Sequence, residues 1–185
     1  GDEVNFVCAA EHTRRAMSSF GHDEPDARRV VVLGGGNIGM FLVKQLEKDH
    51  PEVAVSIIEF DAERAEALAQ DLRRAVVLQG DCLDTDLLDE ANVGASETVI
   101  AVTNDDETNI LASLLAKRAG SKRAITLVNK TTYASLVTTL GVDAVVNPRA
   151  ITVSTILQHI RRGRIRSVHS LRAGLAEIIE GEALD

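Results

Sequence analysis

The stretch VVVLGGGNIGMFLV, residues 30–43, carries glycines at Gly34, Gly36 and Gly39, the spacing G-x-G-x-x-G between two apolar runs. Between a strand and a helix, that spacing suits an anion held by backbone. Gly34 would allow the sharp turn, Gly36 would let the main chain approach a pyrophosphate, and Gly39 would let the helix lie close to the strand. The phosphate would meet free N–H groups and the positive end of the helix dipole. A turn with no ligand is the plain alternative. A second group, Glu59 in SIIEFD, ends the next apolar run and is placed to accept hydrogen bonds from ribose hydroxyls. Its charge would repel a 2′-phosphate, which disfavours NADP. As a strand-end charge Glu59 could equally be a solvated group, and Asp61 suits a helix cap. Asp81 and Cys82 in QGDCL, with Thr103 and Asn104 in VTNDD, follow two further apolar runs. Asp81 could accept from an adenine amino group, and Thr103 and Asn104 would stand near phosphates. Ordinary loop and cap roles are open to all of these.

The elements that must position them read as alternating strand and helix. RVVVLG is a continuous β-branched run, as in a parallel strand covered on both faces. Ile38, Leu42 and Leu46 then recur at helical spacing. VAVSIIEF, AVVLQG, ETVIAVT, RAITLVN and DAVVNP are the later strands. DAERAEALAQDL, TDLLDEAN, NDDETNILASLLAKRAG and TTYASLVTTLG are the helices between them. Asn104 and Glu107 stand at capping-box spacing and Gly120 at a helix stop. The pattern predicts the α/β class with a doubly wound parallel sheet and right-handed crossovers. Before it, VNFVCA (residues 4–9) reads as a short strand and AEHTRRAMSSFG as an amphipathic helix, with HDEPDAR as a linker. After Pro148 comes a long helix, RAITVSTILQHIRRG. The expected division is a tail of a preceding domain at 1–20, a linker at 21–28 and a nucleotide-binding lobe at 29–148. A crossover helix at 149–165 and the start of a truncated lobe at 166–185 complete it, so the chain reads as cut from something longer at both ends.

Composition narrows the field. A net charge of −8 argues against general affinity for nucleic acid, and 3% aromatics with no Trp disfavours base stacking. Apolar runs are too short to span a bilayer and no basic leader precedes one, so the chain is expected to be soluble. Two cysteines without CxxC spacing, Cys8 and Cys82, point to neither a disulfide framework nor a zinc site, and suit a reducing compartment.

Four stretches together carry a family resemblance: VVVLGGGNIGMFLVKQLE, IIEFDAERAEALA, VLQGDCLDTDLLDEANV and VIAVTNDDETNILASLLAKRAG. They resemble the Rossmann-like nucleotide-binding (RCK, or KTN) domain of Trk-type potassium-uptake regulators, and VVNPRAITVSTILQHIRRG resembles the crossover helix that follows it. Residues 1–20 resemble the end of a preceding lobe, which suits the second of two tandem domains. The resemblance implies a cytoplasmic regulatory domain at the inner face of the membrane. Such domains assemble as a dimer or ring and gate a potassium channel subunit in response to NAD(H), or to ATP and ADP. By position it assigns nucleotide contacts to Gly34, Gly35, Gly36, Asn37, Ile38, Gly39, Glu59, Phe60, Arg64, Asp81, Cys82, Thr103 and Asn104. Asn37 stands where ATP-preferring relatives often carry arginine, which favours NAD(H). No catalytic residue and no metal site are implied.

The competing reading is the cofactor domain of an NAD-dependent oxidoreductase without its substrate domain. It lacks an evident catalytic pair. Tyr133 is followed four positions later by Val137 rather than lysine, and His12, His22, His50, His159 and His169 offer no nucleophile–base pair. A redox-sensing repressor would need a winged-helix reader. Arg161, Arg162, Arg164, Arg166 and Arg172 suit a solvated helix end or a contact with another subunit better than nucleic acid. Val153, Ile156, Leu157 and Ile160 form an apolar stripe on the last helix, expected to pair with a second copy.

Overall fold

The structure, a computed structural model, describes residues 8–21, 27–160, 165–171 and 176–181. Six parallel strands form one sheet in the order β3-β2-β1-β4-β5-β6. They are β1 (Arg29–Leu33), β2 (Ala54–Glu59), β3 (Val76–Gln79), β4 (Thr98–Ala101), β5 (Arg123–Leu127) and β6 (Ala144–Val146). The chain runs outward from β1 through β2 to the β3 edge, then returns to place β4 on the other side of β1. That reversal leaves the ends of β1 and β4 side by side, with Leu33 level with Ala101 on one flank and with Ile58 on the other.

The β-branched run of β1 is buried on both faces, as a central parallel strand requires. Val30 and Val32 face a cluster with Val43 of α2 (Asn37–Asp49) and Leu68 of α3 (Ala62–Asp71). Val31 and Leu33 face the opposite cluster, with Leu88 of α4 (Thr85–Glu90) and Ala112 and Ala116 of α5 (Asp106–Ala119). Val137 of α6 (Thr131–Thr139) joins Ala124 and Val128 beyond α5. The predicted doubly wound sheet is the observed one.

Three helix starts on this sheet edge are capped by aspartate. Asp61 accepts the Arg64 N–H at 2.9 Å, Asp84 that of Asp86 at 2.9 Å, and Asp105 that of Thr108 at 2.7 Å. The last corrects the expected capping box. Asp105 is the extended residue at the start of α5, so its carboxylate does the work assigned to Asn104, and Glu107 turns instead to Lys130 and Tyr133. Gly120 ends α5 as expected, at φ +112°.

At the amino end, α1 is Thr13–Ser19 after a single 3₁₀ turn. Residues 4–7 of the expected strand lie outside the described residues, and Cys8 and Ala9 are not in a strand. At the other end, α7 (Pro148–Ile160) exposes Val153, Ile156 and also Ile151. The side chains of Leu157, His159, Ile160, Arg166 and His169 lie outside the described residues, as do His22, Arg161, Arg162, Arg164 and Arg172. β7 (Ile165–Leu171) and β8 (Ala176–Gly181) then pair antiparallel.

Candidate functional site

The crevice opens where β1 and β4 end, and the glycines shape it. Gly34 takes φ +104°, a conformation side chains rarely adopt, and a Cβ there would fall 2.8 Å from the Thr103 backbone nitrogen. Gly39 lies against the Gly34 carbonyl oxygen so closely that no Cβ fits between them. Gly36 is different: an added Cβ would meet nothing within 4 Å. It is also the N-cap of α2, and no side chain caps that helix. The first N–H groups of α2 therefore start beside open space, the arrangement that attracts an anion.

Across the loop stands Glu59, only 5% exposed at the end of β2. Its Oε2 accepts the Gly35 N–H at 2.7 Å; its Oε1 accepts the Asp61 N–H at 2.9 Å and Arg64 Nη1 at 3.3 Å. A carboxylate offers about four lone-pair sites, so Oε2 retains room for one more donor, such as a hydroxyl. Gly35 is glycine for a reason the motif does not supply: a Cβ there would collide with Leu68 and crowd the same Glu59 oxygen.

Together these groups border a cavity of about 700 Å³, within the size range of cofactor sites. Of the residues expected from sequence, the cavity brings together Gly34, Gly35, Gly36, Asn37, Glu59, Phe60, Arg64, Asp81, Cys82, Thr103 and Asn104. Two expected residues do not line it. Ile38 is half exposed on the outer side of α2, and Gly39 lies beneath the loop against Gly34. Either can offer only its backbone N–H.

The lining groups differ in how free they are. Asp81 spends one oxygen on the Leu83 N–H at 2.9 Å. Phe60 is 72% exposed and stands on the rim. Burial, then the nearby Asp81 and Glu59 carboxylates, push the Cys82 thiol up to about 11, so it is protonated at neutral pH and a poor nucleophile. Thr103 is already engaged: its N–H and hydroxyl both donate to Asn109 Oδ1, at 2.8 and 2.7 Å. Asn109 is fully buried and donates from Nδ2 to the carbonyls of Thr103 and Leu127, which ties the ends of β4 and β5 together. The sequence reasoning missed it. Its signal was a polar residue on the same helical stripe as Ala112 and Ala116, the core face of α5. Among the described residues, no group of three or more His, Cys, Asp or Glu side chains is placed to share a metal ion.

Fold and cavity define the class first: a doubly wound α/β domain whose glycine loop and strand-end acid meet where the strand order reverses. Residues 30–148 match the model of the TrkA-N domain, and the chain belongs to that family. It is 52% identical over 185 residues to the Trk system potassium uptake protein TrkA of Azorhizobium caulinodans, covering 100% of this chain and 40% of that one. The chain spans about two fifths of the length of the curated relatives it matches. Among solved structures it is similar to the TrkA-N domain of inner membrane protein ybaL from Escherichia coli. There the TM-score is 0.65 at 16% identity, over 75% of this chain and 100% of that one. The GsuK channel bound to NAD gives a TM-score of 0.63 at 19% identity, over 80% and 26% of the two chains. GsuK bound to ADP gives 0.58 at 20%, over 74% and 35%. At these identities the structural likeness speaks to the fold.

Proposed function

We propose that the cavity binds NAD(H) or an adenine nucleotide, and that the domain reports this occupancy to a Trk-type potassium-uptake channel. One observation carries the reading. The uncapped start of α2 opens at Gly36 onto a cavity of about 700 Å³ whose lining also holds the Glu59 carboxylate. Phosphates would sit on the N–H groups at Gly36 and Asn37, and a ribose hydroxyl would donate to Glu59 Oε2. The Glu59 carboxylate, which would repel a 2′-phosphate, leaves adenosine without one as the better match. NAD(H) is the first choice on account of Asn37, with ATP and ADP next. The potassium-uptake names of the relatives support the regulatory role, at the cytoplasmic face of a membrane and within a dimer or ring. The exposed Ile151, Val153 and Ile156 suit such self-association. Among the described residues no helix is long and apolar enough to cross a membrane.

The potassium-uptake names of the relatives favour a regulator over an oxidoreductase, and two side chains of catalytic type are already committed. Cys82 is held as a thiol, and the Tyr133 hydroxyl donates to Glu107 at 2.9 Å, away from the cavity lining. The test is calorimetric titration with NADH, NAD+, ATP and ADP, of the wild type and of Gly36→Ala and Glu59→Ala. Gly36→Ala meets no protein atom, so the fold should persist while binding weakens about tenfold or more, or 1.4 kcal/mol. Undiminished binding in that variant would remove the phosphate from the glycine loop.

A further inference from the structure

The wall of the cavity is joined to the start of α7 by a continuous run of hydrogen bonds. Asp105 and Thr108, at the start of α5, line the cavity. Asp106 lies between them, turns inward and is only 5% exposed. Its Oδ1 accepts the Asn129 N–H at 2.9 Å and Asn129 Nδ2 at 3.0 Å, and its Oδ2 accepts the Lys130 N–H at 2.8 Å. The Asn129 carbonyl in turn accepts Asn147 Nδ2 at 3.2 Å. Asn147 Oδ1 accepts the Ala150 N–H at 2.9 Å, which caps the first turn of α7. Burial would raise the Asp106 carboxyl, but the Asn129 and Lys130 donors outweigh it and hold it below the usual carboxylate range. The bonds at this end are therefore charge-assisted and the firmer part of the run.

We propose that Asp106, Asn129 and Asn147 form a positioning strut through which occupancy of the cavity sets the start of α7. It rests on the nucleotide reading given above. A ligand seated against Asp105 and Thr108 shifts the first turn of α5, and Asp106 moves with that turn. The N–H bonds on its carboxylate keep their lengths only if the Asn129–Lys130 pair follows. Asn147 then follows too, or releases the Asn129 carbonyl. Either outcome changes how α7 begins, and α7 is the element that carries the chain out of the sheet domain. Coupling of this kind is a free-energy difference between two arrangements, so it is measurable from either end.

The experiment is hydrogen exchange of the α7 amides in the whole chain, read by mass spectrometry, with ADP as the probe and calorimetry on the same samples. In the wild type, saturating ADP should change α7 exchange about fivefold or more. Asn147→Asp keeps an oxygen able to cap Ala150 but carries no donor for the Asn129 carbonyl, and in Asn147→Ser the hydroxyl that caps Ala150 sits one bond closer to the backbone, short of that carbonyl. Both should bind ADP within about twofold of wild type and lose the α7 response. Without ligand, Asp106→Asn should speed α7 exchange about threefold, and adding Asn147→Ser should add nothing further, as expected for one coupled unit. An α7 response that survives in both Asn147 variants overturns the strut. So does wild-type ADP binding that leaves α7 unchanged, or Asp106→Asn that leaves it unchanged. If the wild type binds neither ADP nor NADH in the same calorimetry, the nucleotide reading itself fails, and the role of occupancy fails with it.

Discussion

Two kinds of helix start share the carboxyl-terminal edge of this sheet. α3, α4 and α5 begin with aspartates whose side chains occupy their own first N–H groups. α2 begins with Gly36, which has no side chain to do so. The first kind is finished within the protein, whereas the second leaves its dipole and donors for something else to complete. The difference teaches where an anion belongs on an edge otherwise crowded with carboxylates. At α2 a phosphate would find donors beside the cavity that no negative side chain already answers.

The largest effect should come from treating all glycines of the loop as one kind. Gly39→Ala forces a Cβ into the Gly34 carbonyl, so it should lose about 3 kcal/mol or more in denaturant unfolding, where Gly36→Ala loses well under 1. A smaller and sharper break exchanges the two kinds of start. Asp105→Ala should cost about 1 kcal/mol of stability by removing a cap. Gly36→Asp should gain a few tenths of a kcal/mol by supplying one, while abolishing nucleotide binding in calorimetry. If Gly36→Asp still binds, the uncapped start is not the phosphate site and the comparison fails.

Acid should expose the carboxylates that are finished internally. In Glu47, burial opposes ionisation but the N–H groups of Arg74, Ala75 and Arg73 outweigh it, the Arg74 bond being 2.6 Å. Asp106 and Asp143 are lowered in the same way, by Asn129 and Lys130 and by Ala124 and Lys117. Each group titrates lower folded than unfolded. Each therefore contributes stability that is complete above about pH 4 and is lost as pH falls through its folded value. Denaturation midpoints should hold from neutrality to about pH 5 and drop below pH 4, and Glu47→Gln should flatten that drop. The smallest effect concerns the thiols. Alkylation at neutral pH should label the exposed Cys8 and spare the buried Cys82, with mass spectrometry locating the label.

Much of the fold was legible because each strand is a β-branched run closed by glycine or a polar loop, and each helix repeats at its own period. Those are local signals. The site was legible where backbone geometry dictates residue type, as at Gly34, whose φ and close approach to Thr103 admit no side chain. What stayed hidden depends on partners far along the chain. Gly35 is required by Leu68, Asn109 by Thr103 and Leu127, and Asp106 by Asn129 and Lys130. None of those pairs has a periodicity. The helix cap at α5 slipped by one residue because adjacent Asn104 and Asp105 are both good caps, and only the backbone angles choose between them.

The two borders of the sheet, β3 and β6, are four and three residues long, against six in β2. A strand from another molecule laid along either border would form very few ladder bonds before running out of partner. Neighbouring copies are thus steered away from joining sheet to sheet, into the continuous ribbons that lead to aggregation. At this six-stranded sheet the helices that cover its faces are left for a neighbour to meet, and their side chains can distinguish one partner from another.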